Sequence, residues 1–463
     1  MKRLVVILLA LITHYAILTT NTIAQDSKNI DLLFHWEDTS LVGSGFYDNV
    51  YNEVWGVVVN GKEYAIIGST SGTHIFDVTD PQNAYEADFI PGAQQGSIIV
   101  HRDFHDYKGY LYIVSDEGSS TLQIADLSFL PDSVNVFYDS DSLFKRSHNI
   151  FIDTATAKLY VCGVTDITGM HSMYLYSLKN PKRPEFIYAY PGPYVHDCYV
   201  RNDTAYLNAG SDGLRIVDFS DTALHVNIGS LSDYPDSGYN HSGWLSGDSK
   251  YYVFCDENLG ADLKLYDVSD PSDLKFMDTF NSGVDTNSIV HNVIIKGNYI
   301  YCSYYFDGTR IFYMGDPTNV IQTGFYETYP DSDYVKLYKG NWGIYPHLPS
   351  GILLASDMQY GLFVLDATNA VNSIYDIERT MAGFKVYPNP FTENINIEGI
   401  EIIGEAFLEV YDLKGGLIFK EKVNANNGEV IVPVGNHIIG KGIYLLKLTV
   451  NDNILVEKIV KAD

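Results

Sequence analysis

Seven runs with a common ending recur about every fifty residues along this 463-residue chain: THIFDVTDP from Thr73, LQIADLS from Leu122, MYLYSLKNP from Met173, LRIVDFSD from Leu214, LKLYDVSDP from Leu263, TRIFYMGDP from Thr309 and LFVLDAT from Leu362. Two strand-like runs rich in Tyr and β-branched residues precede each, and a turn with a shorter run follows. One such unit cannot bury its own apolar faces, so the repeats must pack against one another. Four strands per repeat at this period predict an all-β fold, a seven-bladed β-propeller. Composition agrees, since 46% hydrophobic residues and 37 Tyr describe a packed chain and exclude a disordered one.

The elements follow in order. Lys2 and Arg3, an apolar run from Leu4 to Leu18 and the end Thr22-Ile23-Ala24 read as a secretory signal peptide, 1–24, cleaved after Ala24. The run is shorter than the ~20 residues of a spanning helix, and no transmembrane segment is expected in the mature chain. Residues 25–366 form the propeller. No inner strand remains after Asp366, whereas Asp31–Trp36 reads as a strand ahead of the first repeat, so this segment is expected to close the ring as the outer strand of the last blade. Residues 367–383 are a linker. From 384 to 463 the text changes to FKVYPNPF, VYDLKGG and GIYLLKLTVNDNILVEKIVK, roughly seven short strands that predict a small C-terminal β-sandwich. Cys162, Cys198, Cys255 and Cys302 lie in strands without CxxC spacing and are expected as buried thiols.

Thirty Lys and Arg against 58 Asp and Glu give a net charge of −28. That balance argues against nucleic acid and anionic membrane surfaces, and suits a cation, a metal ion or a neutral glycan.

One constellation stands out. His101, His148, His196, His241 and His291 each open a first strand, at intervals of 45 to 50 residues, and Trp55 and Trp342 extend the series one repeat to either side. First strands line a propeller channel, and the turn after each second strand returns to the same mouth. Those turns carry Asp116, Asp212, Asp256, Glu257, Asp307 and Asp357. Imidazoles interleaved with carboxylates match a divalent transition-metal ligand set or a small-molecule rim. A residue repeated in every blade equally suits a brace between blades, such as an imidazole bonding the next blade's backbone. No cofactor is assigned, and a divalent metal on the five histidines stays open. Neither G-x-S-x-G nor a phosphate-cradling glycine loop is present, so no catalytic residue is named.

The C-terminal segment resembles the type A sorting domain of the type IX secretion system of Bacteroidetes, by YPNP at Tyr387–Pro390, the turn from Asp412 to Gly416, Gly442-Ile443-Tyr444 and the lysine-rich end Glu457–Lys461. The resemblance implies handling by the type IX machinery, export through the outer membrane, and release or attachment to surface lipopolysaccharide. The propeller resembles the choice-of-anchor B family with LVIVD-type repeats, on EYAIIGSTSGTHIFDVTDP at Glu63, SHNIFI, VHDCYV, NHSGWL, VHNVIIKGNYIYCSYYFDGTRIF and NWGIYPHLPSGILLASDMQYGLFVLD at Asn341. This implies architecture and address rather than a reaction. The expected function is a secreted, surface-displayed binding or scaffold module for a glycan, small molecule or protein. The alternative is a metal-dependent hydrolase or lyase using the histidine rim.

Overall fold

The computed structural model describes residues 26–221, 224–284, 287–330, 338–372, 385–398, 406–412, 416–423, 429–432, 437–438, 440–450 and 453–462. The expected signal peptide and positions 373–383 of the expected linker lie outside the described residues.

Two short strands, β1 (Ser27–Lys28) and β2 (Asp31–Trp36), lead into a series of sheets. The first holds β3–β6 (Tyr51–Val59, Lys62–Ser69, Gly72–Asp77, Tyr85–Pro91) and the second β7–β10 (Arg102–Tyr107, Tyr110–Ser115, Leu122–Asp126, Asn135–Ser140). The third holds β11–β14 (Asn149–Asp153, Lys158–Asp166, Gly169–Ser177, Glu185–Tyr190) and the fourth β15–β18 (Asp197–Arg201, Thr204–Asn208, Leu214–Asp218, Val226–Leu231). The fifth is β19–β22 (Asn240–Leu245, Tyr251–Asp256, Leu263–Asp267, Lys275–Phe280), and the sixth is β23–β26 (Asn292–Lys296, Tyr299–Tyr304, Gly308–Tyr313, Ile321–Tyr326) with β1 on its outer edge. The seventh is β27–β29 (Asn341–Tyr345, Leu353–Asp357, Gly361–Asp366), completed by β2.

Local chemistry explains the hairpins. Between β3 and β4, Asn60 and Gly61 both have positive φ, 53° and 77°, the pair of conformations that a two-residue turn needs to match strand twist. The third and fourth strands of every sheet share a β-bulge, at Ile75/Phe76 in the first and Ile311/Phe312 in the sixth. β2 pairs antiparallel with β29 from Asp31↔Asp366 to Trp36↔Leu362 and carries that same bulge between Leu32 and Phe34. It therefore occupies a fourth-strand position. Gly361, at φ +85°, makes room for it, because a Cβ there would sit 2.3 Å from the Trp36 carbonyl oxygen.

The sheets pack face to face through apolar clusters that each draw on neighbouring sheets. Val57, Tyr64 and Ile75 of the first sheet meet Phe104, Ile113 and Ala125 of the second. Tyr51, Ala65 and Phe76 of the first meet Leu354, Leu362 and Val364 of the seventh. First strands touch in the sequence β3, β7, β11, β15, β19, β23, β27, and β27 touches β3. The four cysteines are buried free thiols, with Cys162 Sγ 3.4 Å from Cys198 Sγ.

The start of the expected linker differs from the reading as a linker. Residues 368–372 are helical, and Ala367 and Ala370 are buried beside Ile30, Ile311 and Phe363. The Tyr299 hydroxyl donates to the Val371 carbonyl. The apolar pair Ala370-Val371 gives this turn something to bury, so the chain leaves the sheets only after it.

The C-terminal segment forms two further sheets. One orders β30 (Lys385–Tyr387), β31 (Ile395–Glu398) and β34 (Glu429–Val432); the other orders β33 (Leu417–Val423), β32 (Ala406–Tyr411), β35 (Gly442–Val450) and β36 (Asn453–Lys461). Ile395, Ile397 and Val432 of the first share one core with Leu408, Val410, Leu446 and Ile459 of the second.

Candidate functional site

Each rim histidine sits at the leading end of a first strand; the His101 amide, just ahead of β7, bonds the Glu117 carboxylate, and His241 is the bulged residue between Asn240 and Ser242. The His196 and His291 amides donate to Asn208 and Ser303 carbonyls at 2.9 and 2.8 Å, which fixes the side chains at one depth. The rings then follow one another in chain order, tilted by 46° to 56°, with centroids 4.6 Å apart for His101–His148, 4.0 Å for His148–His196, 4.3 Å for His196–His241 and 4.6 Å for His241–His291. Trp342 completes the circuit, 4.2 Å from His291 and 5.0 Å from His101. Five imidazoles and one indole thus form one collar.

Trp55 is not in that collar. The first sheet contributes Asn52 at this depth, buried and donating to the Val100 carbonyl, and Trp342 reaches past it to His101. Trp55 belongs three residues further along its strand, about 10 Å deeper at strand rise. There it begins a second circuit, through His105 (4.7 Å), Phe151, Tyr199, Trp244, His347 and Tyr345, which returns to Trp55 at 4.7 Å. The Trp55 indole N–H donates to Asp106 at 3.0 Å.

The acidic turns divide. Asp116 accepts from His148 Nδ1 at 2.8 Å, and its neighbour Glu117 accepts from His101 Nδ1 at 2.8 Å, so one turn orients histidines of two sheets. Glu257 lies 3.7 Å from His241 Nε2 and accepts the Tyr305 hydroxyl at 2.5 Å. The other four expected rim carboxylates stay away from the imidazoles. Asp212 is 56% exposed and faces Arg215 at 3.8 Å. Asp256 is buried in an ion pair with Lys264 at 2.8 Å. Asp307 is buried beside Ser282 and Ser288, whose hydroxyls donate to it. Asp357 accepts from Thr328 and from the amides of Gln359 and Tyr360, the bonding of an Asx turn.

Electrostatics follow from this geometry. Burial, then the crowd of neighbouring imidazoles, holds His196 and His291 well below the ordinary histidine range, so both are neutral at pH 7. Burial likewise lowers His241, against the pull of Glu257. His148 goes the other way: burial opposes its charge, yet the Asp116 hydrogen bond and charge outweigh it and raise the group. Tyr239, missed by sequence reasoning, bonds His196 Nδ1 through its hydroxyl at 3.0 Å.

Between the two circuits lies an acidic layer that the spacing argument also missed. Glu53, Asp103 and Asp197 line a chamber of about 60 Å³ with Asn149, Ser242 and Asn292. Glu53 accepts from Asn292 at 2.8 Å, Asp103 from the Ile150 amide at 2.7 Å and Asp197 from the Cys198 amide at 2.6 Å. Burial raises all three, and repulsion by Asp103 adds to it at the other two: Glu53 lies well above its usual value, Asp103 at about 7 and Asp197 at about 8. The signal was present: the residue after the ring position is Glu53, Asn149, Asp197 and Asn292, and the third after it is Trp55, Phe151, Tyr199, Trp244 and Tyr345.

This layer yields a stability prediction. An unfolded Asp197 ionises near 4 and the folded one near 8, so across that window the unfolded chain has released a proton that the folded chain retains. Stability must fall as pH rises through it. Asp197→Asn keeps an acceptor for the Cys198 amide and removes the titration. Its melting temperature relative to wild type is expected to be higher at pH 8 than at pH 5, with Glu53, Asp103 and His148 as unchanged neighbours. An offset identical at both pH values would refute the raised carboxyl.

The sheets and the axial rings define the class: a β-propeller followed by a separate β-domain. The tail is identified more closely, since residues 385–462 match the family model described as Secretion system C-terminal sorting domain. A tail of this type IX kind implies engagement with the type IX secretion machinery, secretion and an outer cell-surface location. No helix among the described residues is long and apolar enough to cross a membrane. No curated protein matches the sequence. Among solved structures, the β-propeller domain of Cps50 (Swd1) from Myceliophteria thermophila aligns with a TM-score of 0.51 at 12% identity, over 73% of this chain and 98% of that one. The WD40 repeats of RRP9 align with a TM-score of 0.50 at 11% identity, over 73% and 96%. These likenesses show the fold. PorZ, an essential bacterial surface component of the type IX secretion system of Porphyromonas gingivalis, aligns with a TM-score of 0.44 at 10% identity; the alignment covers 92% of this chain and 61% of PorZ.

Proposed function

We propose that the chain is a secreted, surface-displayed binding module: a seven-bladed propeller, closed by its N-terminal strand, that offers the His/Trp mouth to a ligand. The leader, cleaved near Ala24, starts export, and the sorting domain completes it and leads to release or attachment to lipopolysaccharide. The propeller is assigned to the choice-of-anchor B family with LVIVD-type repeats. Closure is supported by the bulged β2–β29 pairing, by the β27–β3 contact and by the two aromatic circuits, each of which returns to its first member.

The observation that carries the binding reading is unfinished hydrogen bonding at the mouth. His196 Nε2 and His241 Nδ1 are buried and have no partner. A brace would bond the next sheet, as His291 Nδ1 does toward the Trp342 carbonyl at 2.6 Å. Leaving a buried polar atom unpaired costs about 1–3 kcal/mol, a cost that a ligand at the mouth would remove.

A screen of glycans, small molecules and outer-membrane proteins against the exported chain tests this. Binding is expected in the wild type and in Trp55→Phe, and is expected to be lost in His196→Ala with the fold intact. Binding unchanged by His196→Ala overturns the mouth as the site. Turnover of a substrate, abolished by His291→Ala, would replace this reading with the metal-dependent hydrolase.

A further inference from the structure

We propose that His148, His196 and His241 form a site for one transition-metal ion of the zinc, copper or nickel class. This rests on the mouth being the binding site and names what it takes. The three side chains come from the leading ends of β11, β15 and β19, consecutive first strands. One ligand atom from each lies within 4.8 Å of the other two. Nitrogens arranged tetrahedrally around zinc at bonds of ~2.0–2.1 Å stand roughly 3.3 Å apart, so side-chain rotations on the order of an ångström complete the set.

Nitrogen accounting selects this trio. Each imidazole turns one nitrogen to an outer group: His148 Nδ1 bonds Asp116, His196 Nδ1 bonds the Tyr239 hydroxyl, and His241 Nε2 faces Glu257 at 3.7 Å, beyond hydrogen-bond reach. An outer carboxylate or hydroxyl that fixes the ring while the other nitrogen points inward is how metal-bound histidines are held. The inward atoms His196 Nε2 and His241 Nδ1 are the buried, unpartnered ones. Two neighbouring groupings, His101–Asp116–His148 and His241–Glu257–His291, are poorer candidates, because their carboxylates already accept from an imidazole or from Tyr305.

Space agrees with a single ion. The ring histidines share a cavity of about 20 Å³ with Glu53, Asp103 and Asp197 beneath them, room for one atom-sized guest. The one cationic side chain in that lining, Arg102, is turned to the Ser69 and Gln94 carbonyls at 2.8 and 2.7 Å. An all-imidazole donor set selects borderline metals over Mg²⁺ or Ca²⁺, and three protein ligands leave a fourth position open toward the mouth.

The test uses the exported chain, purified without a histidine tag, stripped with chelator and titrated with Co²⁺, Zn²⁺, Cu²⁺ and Ni²⁺. A visible Co²⁺ ligand-field band saturating at one ion per chain and displaced by Zn²⁺ is expected. His196→Ala should abolish it. Asp116→Asn, which loosens His148 without removing a ligand, should weaken affinity about tenfold to a hundredfold. Should His196→Ala fail to fold, X-ray absorption of the wild-type Zn²⁺ complex decides: a shell with three imidazole nitrogens supports the site, and an oxygen-only shell overturns it. No binding of any of the four ions overturns the site. If an organic ligand still binds and is lost on His196→Ala, only the metal assignment falls; if neither binds, the mouth reading falls with it.

Discussion

Removing residues 26–36 is expected to cost the propeller on the order of 5 kcal/mol, whereas removing everything after residue 383 should leave its melting within a few degrees. The eleven-residue segment supplies two outer strands at once. β1 pairs with β26 through Ser27↔Tyr326 and Lys28↔Phe325, and β2 covers β29 along its length. Between them Ile30 is 1% exposed, inside the cluster that joins the sixth and seventh sheets. Leu33, Phe34 and Trp36 pack on the cluster joining the seventh sheet to the first, with the Trp36 ring 4.7 Å from Phe76 and 5.5 Å from Tyr51. Burying a large apolar side chain contributes about 1.5–3 kcal/mol, and three of these four are only partly buried, which sets the estimate. The loss also bares the edges of β26 and β29, inviting aggregation. That is comparable with the whole stability of many domains, ~5–15 kcal/mol. Differential scanning calorimetry of both truncations measures it. Equal midpoints would show that the N-terminal strands are dispensable.

Much of this was legible because it is periodic. Third strands ending in Asp-Pro or its equivalents recur at every sheet, and the missing outer strand of the seventh sheet left Asp31–Trp36 as its only strand-like candidate. The gathering of the five histidines at one depth was equally legible, since the residue opening a strand has a fixed depth. What spacing could not fix was register within the first repeat. Intervals of 45 to 50 residues admit both Asn52 and Trp55 as the member before His101, and only the contacts separate them. The offset of three between ring position and aromatic residue holds in five repeats and carried the answer, but at His291 it meets Ile294, and at His101 the member of the second circuit is His105, four residues on. The acidic turns misled for another reason. Asp357 recurs because an Asx turn needs a carboxylate to cap the amides of Gln359 and Tyr360, a demand that has nothing to do with the mouth.

Asp256 illustrates the same point most sharply, and it carries the second large effect. Its carboxylate and the Lys264 ammonium are both 0% exposed and 2.8 Å apart, on neighbouring strands β20 and β21. Tyr234 donates to the other carboxylate oxygen at 2.8 Å, and Lys264 also donates to the Asp236 carbonyl at 3.2 Å. Two buried charges this close are tolerable only together, because desolvation of either alone exceeds what a single neutral hydrogen bond returns. Asp256→Ala is therefore expected to destabilise the chain by about 3–5 kcal/mol, and Lys264→Met by a similar amount, each leaving one uncompensated charge. The double variant Asp256→Leu/Lys264→Met should recover most of that loss, since apolar side chains of similar volume replace the pair. A double-mutant cycle from urea denaturation, closed with the single variants Asp256→Leu and Lys264→Met, reads the coupling. Losses that simply add in the double variant, or an Asp256→Ala cost under about 1 kcal/mol, would mean that the pair is solvated and that Asp256 is free to serve the mouth after all.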